Sequence, residues 1–196
     1  MPCLRQPPLP DDPHLRMIDP DKVFGPEWQP GPDGLLFRRG ARILIFDEFD
    51  RLLLIRGHDW GKAERSWWFT VGGGYRREED ARAGVIREAR EETGILLGRE
   101  DVVGPVGERS AVFDFALRTV RQDELFFYAR VAGAAVDPAG LTGWETQLLD
   151  EYRWWHLDDL HEAQAAGETL YPSDLVPFAK WLVDGWDGTI RQLSGT

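Results

Sequence analysis

The chain is short of cysteine, of positive charge and of long apolar runs, and each shortage excludes a class of protein. Cys3 is the sole cysteine in 196 residues, so no internal disulfide can staple the fold. A reducing, cytoplasmic setting is therefore the expectation. Lys and Arg number 23 against 34 Asp and Glu, a formal net charge of −11. Such a surface repels nucleic acid polymers and anionic membranes. A phosphorylated small molecule remains compatible, provided divalent cations bridge it to the acidic protein. No apolar run approaches the ~20 residues that span a bilayer, and the opening MPCLRQPPLPDD has no apolar core, so no secretory signal is expected.

Proline is abundant but unevenly spread, with nine of thirteen in residues 1–34. Proline fixes φ and removes a backbone donor, so 1–34 is expected to be an extended or partly disordered arm. Met17, Ile18, Val23, Phe24 and Trp28 could dock it on the body, and exchange of the arm between copies makes a homodimer an expectation. The folded domain is expected over 35–186, followed by a tail at 187–196. A β-hairpin is predicted from Ala41–Phe46 and Arg51–Ile55, then a polar loop over Gly57–Ser66. Further strands are predicted at Val102–Gly107, Ser110–Leu117, Glu124–Val131 and Tyr152–His156. Helices are predicted at about Glu79–Thr93, Leu157–Ala166 and Ser173–Asp184, with Gly94 placed to stop the first. Strands around a few helices, without strict alternation, indicate a mixed α/β or α+β sandwich.

The helix ending at Gly94 carries the chemistry. An α-helix advances about 100° per residue, so with Glu88 at zero Glu92 falls near 40° and Glu91 near 300°. Val85, Ile86, Ala89 and Thr93 occupy the adjoining arc, so the acidic stripe borders the buried face. Like charges at i,i+4 weaken a helix by a few tenths of a kcal/mol, and stability alone would not select them beside a core. A hard divalent cation resolves the repulsion. Arg87, at about 260°, reaches the stripe and can orient a carboxylate. A solvated acidic face is the plainer reading of three glutamates by themselves.

The full spacing changes that balance. Gly73, Glu79, Arg87, Glu88, Glu91, Glu92 and Gly94, with Ala89 and Ile95 at apolar positions, fill the pattern of the Nudix box. Chance agreement at seven positions is roughly one in 10⁸ at about 7% each. The chain thus resembles the Nudix (MutT-like) hydrolases. The resemblance implies an α/β/α sandwich with a mixed β-sheet and Mg²⁺-dependent hydrolysis of a nucleoside diphosphate derivative, with Mn²⁺ as substitute metal. It implies Glu91 and Glu92 as principal metal ligands, Glu88 as ligand or general base, Arg87 orienting Glu88, Glu79 supporting the site, and the Gly72 carbonyl completing the coordination. Val71 stands where many members have Pro, and Glu78 where many have Gly, which bears on loop geometry but removes no ligand.

Outside the box the resemblance implies a further ligand or base from a later loop, for which Glu145 is preferred over Glu124. Trp67 and Trp68 are candidates to stack on a nucleobase, whereas Phe69 is read as core. Arg56, Arg76 and Arg77 are candidate phosphate clamps. His58, His156 and His161 lack metal-ligand spacing. Known substrate signatures after the box are absent: Ala111 stands where the ADP-ribose type has Pro, and Val112-Phe113 where the dinucleoside polyphosphate type has Tyr. A non-catalytic nucleotide sensor on the same fold commonly loses box glutamates, and this chain retains them all.

Overall fold

A computed structural model of the chain describes residues 24–195 except 26, 60–61, 116–117, 134, 139 and 142–144, with backbone alone at 59, 62, 63 and 145. Among them, ten strands form one mixed sheet. These are β1 (Gln29–Pro30), β2 (Leu36–Phe46), β3 (Leu52–Asp59), β4 (Lys62–Phe69), β5 (Val71–Gly74), β6 (Val103–Phe115), β7 (Arg118–Arg130), β8 (Leu149–Trp155), β9 (Leu170–Tyr171) and β10 (Arg191–Gln192). Their order is β10-β6-β7-β2-β3-β4-β9, with β1 and β5 also on β2 and β8 also on β3. The helices are α1 (Ala81–Thr93), α2 (Glu145–Leu148), α3 (Leu157–Ala165) and α4 (Leu175–Asp184).

Alternation along the central strands builds a core on each side of the sheet. Ala41, Ile43 and Ile45 of β2, with Leu53 and Ile55 of β3, face Val85 and Ala89 of α1. Leu44, Phe46, Leu52 and Leu54 face the opposite way, onto Leu160 of α3 and Phe178 and Leu182 of α4. Each fully buried Leu, Ile or Val contributes about 1.5–3 kcal/mol, so both helix layers are held on the sheet by burial. This is the α/β/α sandwich expected from the sequence.

Several elements depart from the sequence reading. The hairpin after Phe46 pairs only Phe46 with Leu52. Beyond it β2 runs parallel to β7 and antiparallel to β5, while β3 pairs with β4 and β8. The polar stretch read as a loop at Gly57–Ser66 is instead the end of β3 and most of β4. Glu64 and Arg65, successive in β4, are both exposed, so this end of the strand meets solvent on both faces and tolerates polar residues there. The two strands expected at 102–107 and 110–117 are one strand, β6, and β7 begins six residues before Glu124.

Packing also reaches beyond 35–186. Trp28 is buried, with Phe24 and Phe115 around its ring at 5.3 and 6.1 Å, and β10 pairs with β6. Cys3, Met17, Ile18 and Val23 lie outside the described residues. No helix among the described residues is long and apolar enough to cross a membrane.

Candidate active site

The box is built as strand, turn and helix. β5 carries Gly72 and Gly73, the turn carries Glu79, and Asp80 caps α1 through a bond from the Ala83 N–H at 2.7 Å. At the other end Gly94 adopts φ 72° and bonds back to the Arg90 carbonyl. α1 thus starts two residues later than the pattern predicted, which leaves Glu79 free to fold back from the turn.

Arg87 is the hub of the cluster. Its Nε and Nη2 donate to the two oxygens of Glu79 at 3.1 and 3.2 Å. Its Nη1 donates to Glu88 at 2.6 Å and Glu91 at 2.9 Å, and Nη2 also reaches the Gly74 carbonyl at 3.1 Å. Burial acts to lower the Arg87 pKa, but the Glu79 hydrogen bonds and the Glu88 charge more than offset it and raise it. Burial likewise acts to raise the Glu79 pKa, and the Arg87 hydrogen bonds overcome it and hold that carboxyl below its ordinary range.

Glu88 and Glu92 are buried, at 8% and 6% exposure, whereas the Glu91 side chain is 44% exposed. Glu92 accepts from the Gly72 N–H at 2.8 Å. Gly72 has φ 129°, and a Cβ there would lie 2.2 Å from the Ala41 carbonyl oxygen, so only glycine fits. A Cβ on Gly73 would stand 3.0 Å from both Glu88 oxygens, so the bare backbone is what leaves space beside that carboxylate.

These are hard oxygen donors without thiolate or imidazole, a set that fits a divalent cation such as Mg²⁺. Glu88, Glu91 and Glu92 are the carboxylates that could hold it, whereas the Gly72 carbonyl, expected from the sequence to complete the coordination, already accepts from Arg42 Nη1 at 2.5 Å. As folded, no three His, Cys, Asp or Glu among the described residues are gathered into a coordination cluster. The reason is visible in the contacts: Arg87 engages Glu79, Glu88 and Glu91, and the Gly72 N–H engages Glu92.

The box borders a cleft of about 1030 Å³ lined from strands β2 to β7. Trp67, Phe69, Arg76 and Arg77 line it, but Trp68 and Arg56 do not. Strand alternation explains this, because residues 67 and 69 share one face of β4 and Trp68 takes the other. Trp68 is 1% exposed, packed edge-on against Trp155 at 5.2 Å with its indole N–H on Glu168. The sequence reading of Trp68 is therefore corrected, since Trp68 is core, whereas Phe69 packs partly against the core as expected and also borders the cleft. Arg56 is corrected too. It bonds to Ser66 at 2.9 Å and lies over the Trp68 ring.

Glu124 is not placed as a metal ligand. It is 1% exposed, and Arg42 takes one carboxylate oxygen at 2.8 Å while Arg109 takes the other at 2.6 Å. Burial acts to raise its pKa, yet the charges of Arg42 and Arg109 hold it below the usual carboxylate range. Glu145 heads α2, and its side chain lies outside the described residues.

The sequence reading missed the polar floor of the cleft. Arg38 donates to Gln122, and Gln122 donates to Glu124 at 2.5 Å. Burial and the neighbouring Arg42 charge push the Arg38 pKa down to about 10. His58 also lines the cleft, with Nδ1 2.9 Å from Asp150. A signal for the floor was present: positions 38 and 42 of β2 alternate onto the same side as Leu44 and Phe46, so charged residues there mark an uncovered end of an apolar face.

The NUDIX domain model matches residues 36–174. The chain belongs to the Nudix hydrolase family. Its fold is similar to that of the NUDIX domain of Shewanella oneidensis NrtR solved with ADP ribose, at TM-score 0.54 and 15% identity, covering 87% of this chain and 96% of that one. An ADP-ribose pyrophosphatase from Streptococcus suis superposes at TM-score 0.52 and 17% identity, covering 79% and 97%. The MutT protein of Methanosarcina mazei Go1 superposes at 0.51 and 24%, covering 76% and 94%. No curated protein sequence matches this chain.

Proposed function

We propose that this cleft hydrolyses the pyrophosphate linkage of a nucleoside diphosphate derivative in the presence of Mg²⁺, with Mn²⁺ as a substitute. The observation that carries the reading is the complete box beside the cleft, with Glu88 and Glu92 buried and Arg87 tying Glu79, Glu88 and Glu91 together. Phosphoanhydride cleavage needs charge neutralisation, an activated water and in-line geometry. A divalent cation, when bound, neutralises the phosphate charge and acidifies the attacking water.

The chain's own residues supply the rest. Glu88, Glu91 and Glu92 would hold the cation's side of the site, with Glu88 as a ligand or as the general base that takes a proton from water. Arg87 fixes the orientation of Glu88 through a bidentate-capable guanidinium and keeps three carboxylates from splaying. Arg76 offers phosphate contacts, and the rings of Trp67 and Phe69 offer a face for the nucleobase.

The substrate classes that fit are a nucleotide sugar, an ADP-ribose-like molecule, a dinucleoside polyphosphate or a non-canonical nucleoside triphosphate. The working site is assigned to the cytoplasm on the single cysteine, and a homodimer rests on the proline-rich arm. A panel of these compounds with Mg²⁺, scored for release of phosphate or nucleoside monophosphate, tests the reading. Turnover of one class is expected. Binding without turnover across the panel would overturn it in favour of a nucleotide sensor.

A further inference from the structure

Gly72 is gripped on both sides of its Cα, through two successive peptide groups. Its N–H donates to Glu92 at 2.8 Å, and its carbonyl accepts from Arg42 Nη1 at 2.5 Å. The same nitrogen reaches the Thr70 carbonyl at 3.2 Å. Arg42 is itself held by Glu124, whose second oxygen is taken by Arg109 and whose first also accepts from Gln122. One guanidinium thereby joins β2, β5 and β7, using the planar fork that lysine lacks. Residue 72 must be glycine for steric reasons, and glycine is the residue with the least preference for any one peptide orientation. The β2–β5 ladder fixes the strand on either side of residue 72, and the Arg42 guanidinium adds a side-chain hold on the Thr70 and Gly72 carbonyls, which flank the peptide carrying the Gly72 N–H.

We propose that Arg42, anchored by Glu124, is a positioning residue that holds the peptides flanking the Gly72 N–H and through that N–H orients Glu92 for metal binding. The proposal rests on the box being the metal site. Its novelty is the role given to two residues that lie outside the box and come from different strands. Glu124 is then the anchor of a positioning device and not a ligand or base. The outer partners of metal ligands commonly carry 10–100-fold in metal affinity or activity.

The alternative role for the pair is structural. A buried ion pair can often be replaced by uncharged groups with little loss of stability, whereas removing one partner alone is costly. The paired replacement R42M/E124Q removes one charge of each sign but leaves the buried Arg109 with an amide oxygen in place of its counter-ion, so it is expected to cost metal-free stability. Arg42→Lys keeps the charge and removes the fork.

The experiment measures Mn²⁺ binding by electron paramagnetic resonance for the wild-type protein, R42K, R42M/E124Q and E92Q, with urea unfolding in chelator as the control. The result expected is about 10-fold or more weaker Mn²⁺ binding in both Arg42 variants, with R42K, which keeps the buried charges paired, close to wild type in metal-free stability. Wild-type Mn²⁺ affinity in both variants, or tighter binding, would overturn the proposal. Indifference of Mn²⁺ binding to E92Q would instead overturn the assignment of the box as the metal site, so the two failures are separable.

Discussion

Replacing Arg87 by methionine removes a guanidinium that makes four hydrogen bonds to three carboxylates. The Glu79 and Glu88 side chains are 16% and 10% exposed, so each loses a partly desolvated, charge-assisted partner. Such a loss is worth about 1.5 kcal/mol at the low end of its range. Glu91 is 44% exposed and its pair adds little through solvent screening. The expected cost is therefore about 3 kcal/mol in metal-free protein, or a fall in Tm of about 6–12 °C for a chain of this length. Because Arg87 also holds Glu88 and Glu91 in place for the cation, R87M should gain less from metal binding, and the same substitution should cost more in excess Mg²⁺ than in chelator. Urea unfolding of wild-type and R87M protein, in chelator and in Mg²⁺, measures both values. An equal cost under the two conditions would refute the reasoning, because the carboxylates that Arg87 gathers would then not be those that meet the metal.

Three further outcomes follow from the same contacts. The Glu79 carboxyl titrates below its ordinary value of 4.5 in the folded state, so its stabilisation is fully present above about pH 4.5 and is lost as pH falls through the folded pKa. Glu79→Gln should accordingly lower the urea midpoint near neutrality and flatten its decline in acid, and an unchanged acid slope would contradict this. Trp67→Ala should raise KM with modest loss of stability. Trp68→Ala should instead cost about 3–5 kcal/mol of stability by opening the core, and the reverse assignment in a paired kinetic and unfolding assay would count against the cleft as described.

The box was legible because its chemistry lies on one short segment. Spacing alone puts Glu88, Glu91 and Glu92 along one edge of a helix, and Gly94 marks where that helix stops. The surrounding site was less legible for a physical reason. A strand's faces can be assigned only when its phase is known, and the polar residues 62–66 hid the strand that sets the phase of Trp67, Trp68 and Phe69. The Arg42–Glu124 pair joins residues 82 apart through a parallel strand pairing. No local pattern announces such a contact. The apolar alternation of Ala41, Ile43 and Ile45 sufficed for a core-facing strand, but not for what its other face would meet.

The box carboxylates are proposed to hold the metal that drives pyrophosphate cleavage. The measurement that tests this most directly is the initial rate against Mg²⁺ concentration, for the wild-type protein and E92Q, on whichever nucleoside diphosphate derivative is turned over. Saturable activation by Mg²⁺ is expected in the wild type, and a loss of several orders of magnitude in E92Q, with the fold intact by circular dichroism. A rate independent of Mg²⁺, or near-wild-type turnover in folded E92Q, would contradict it.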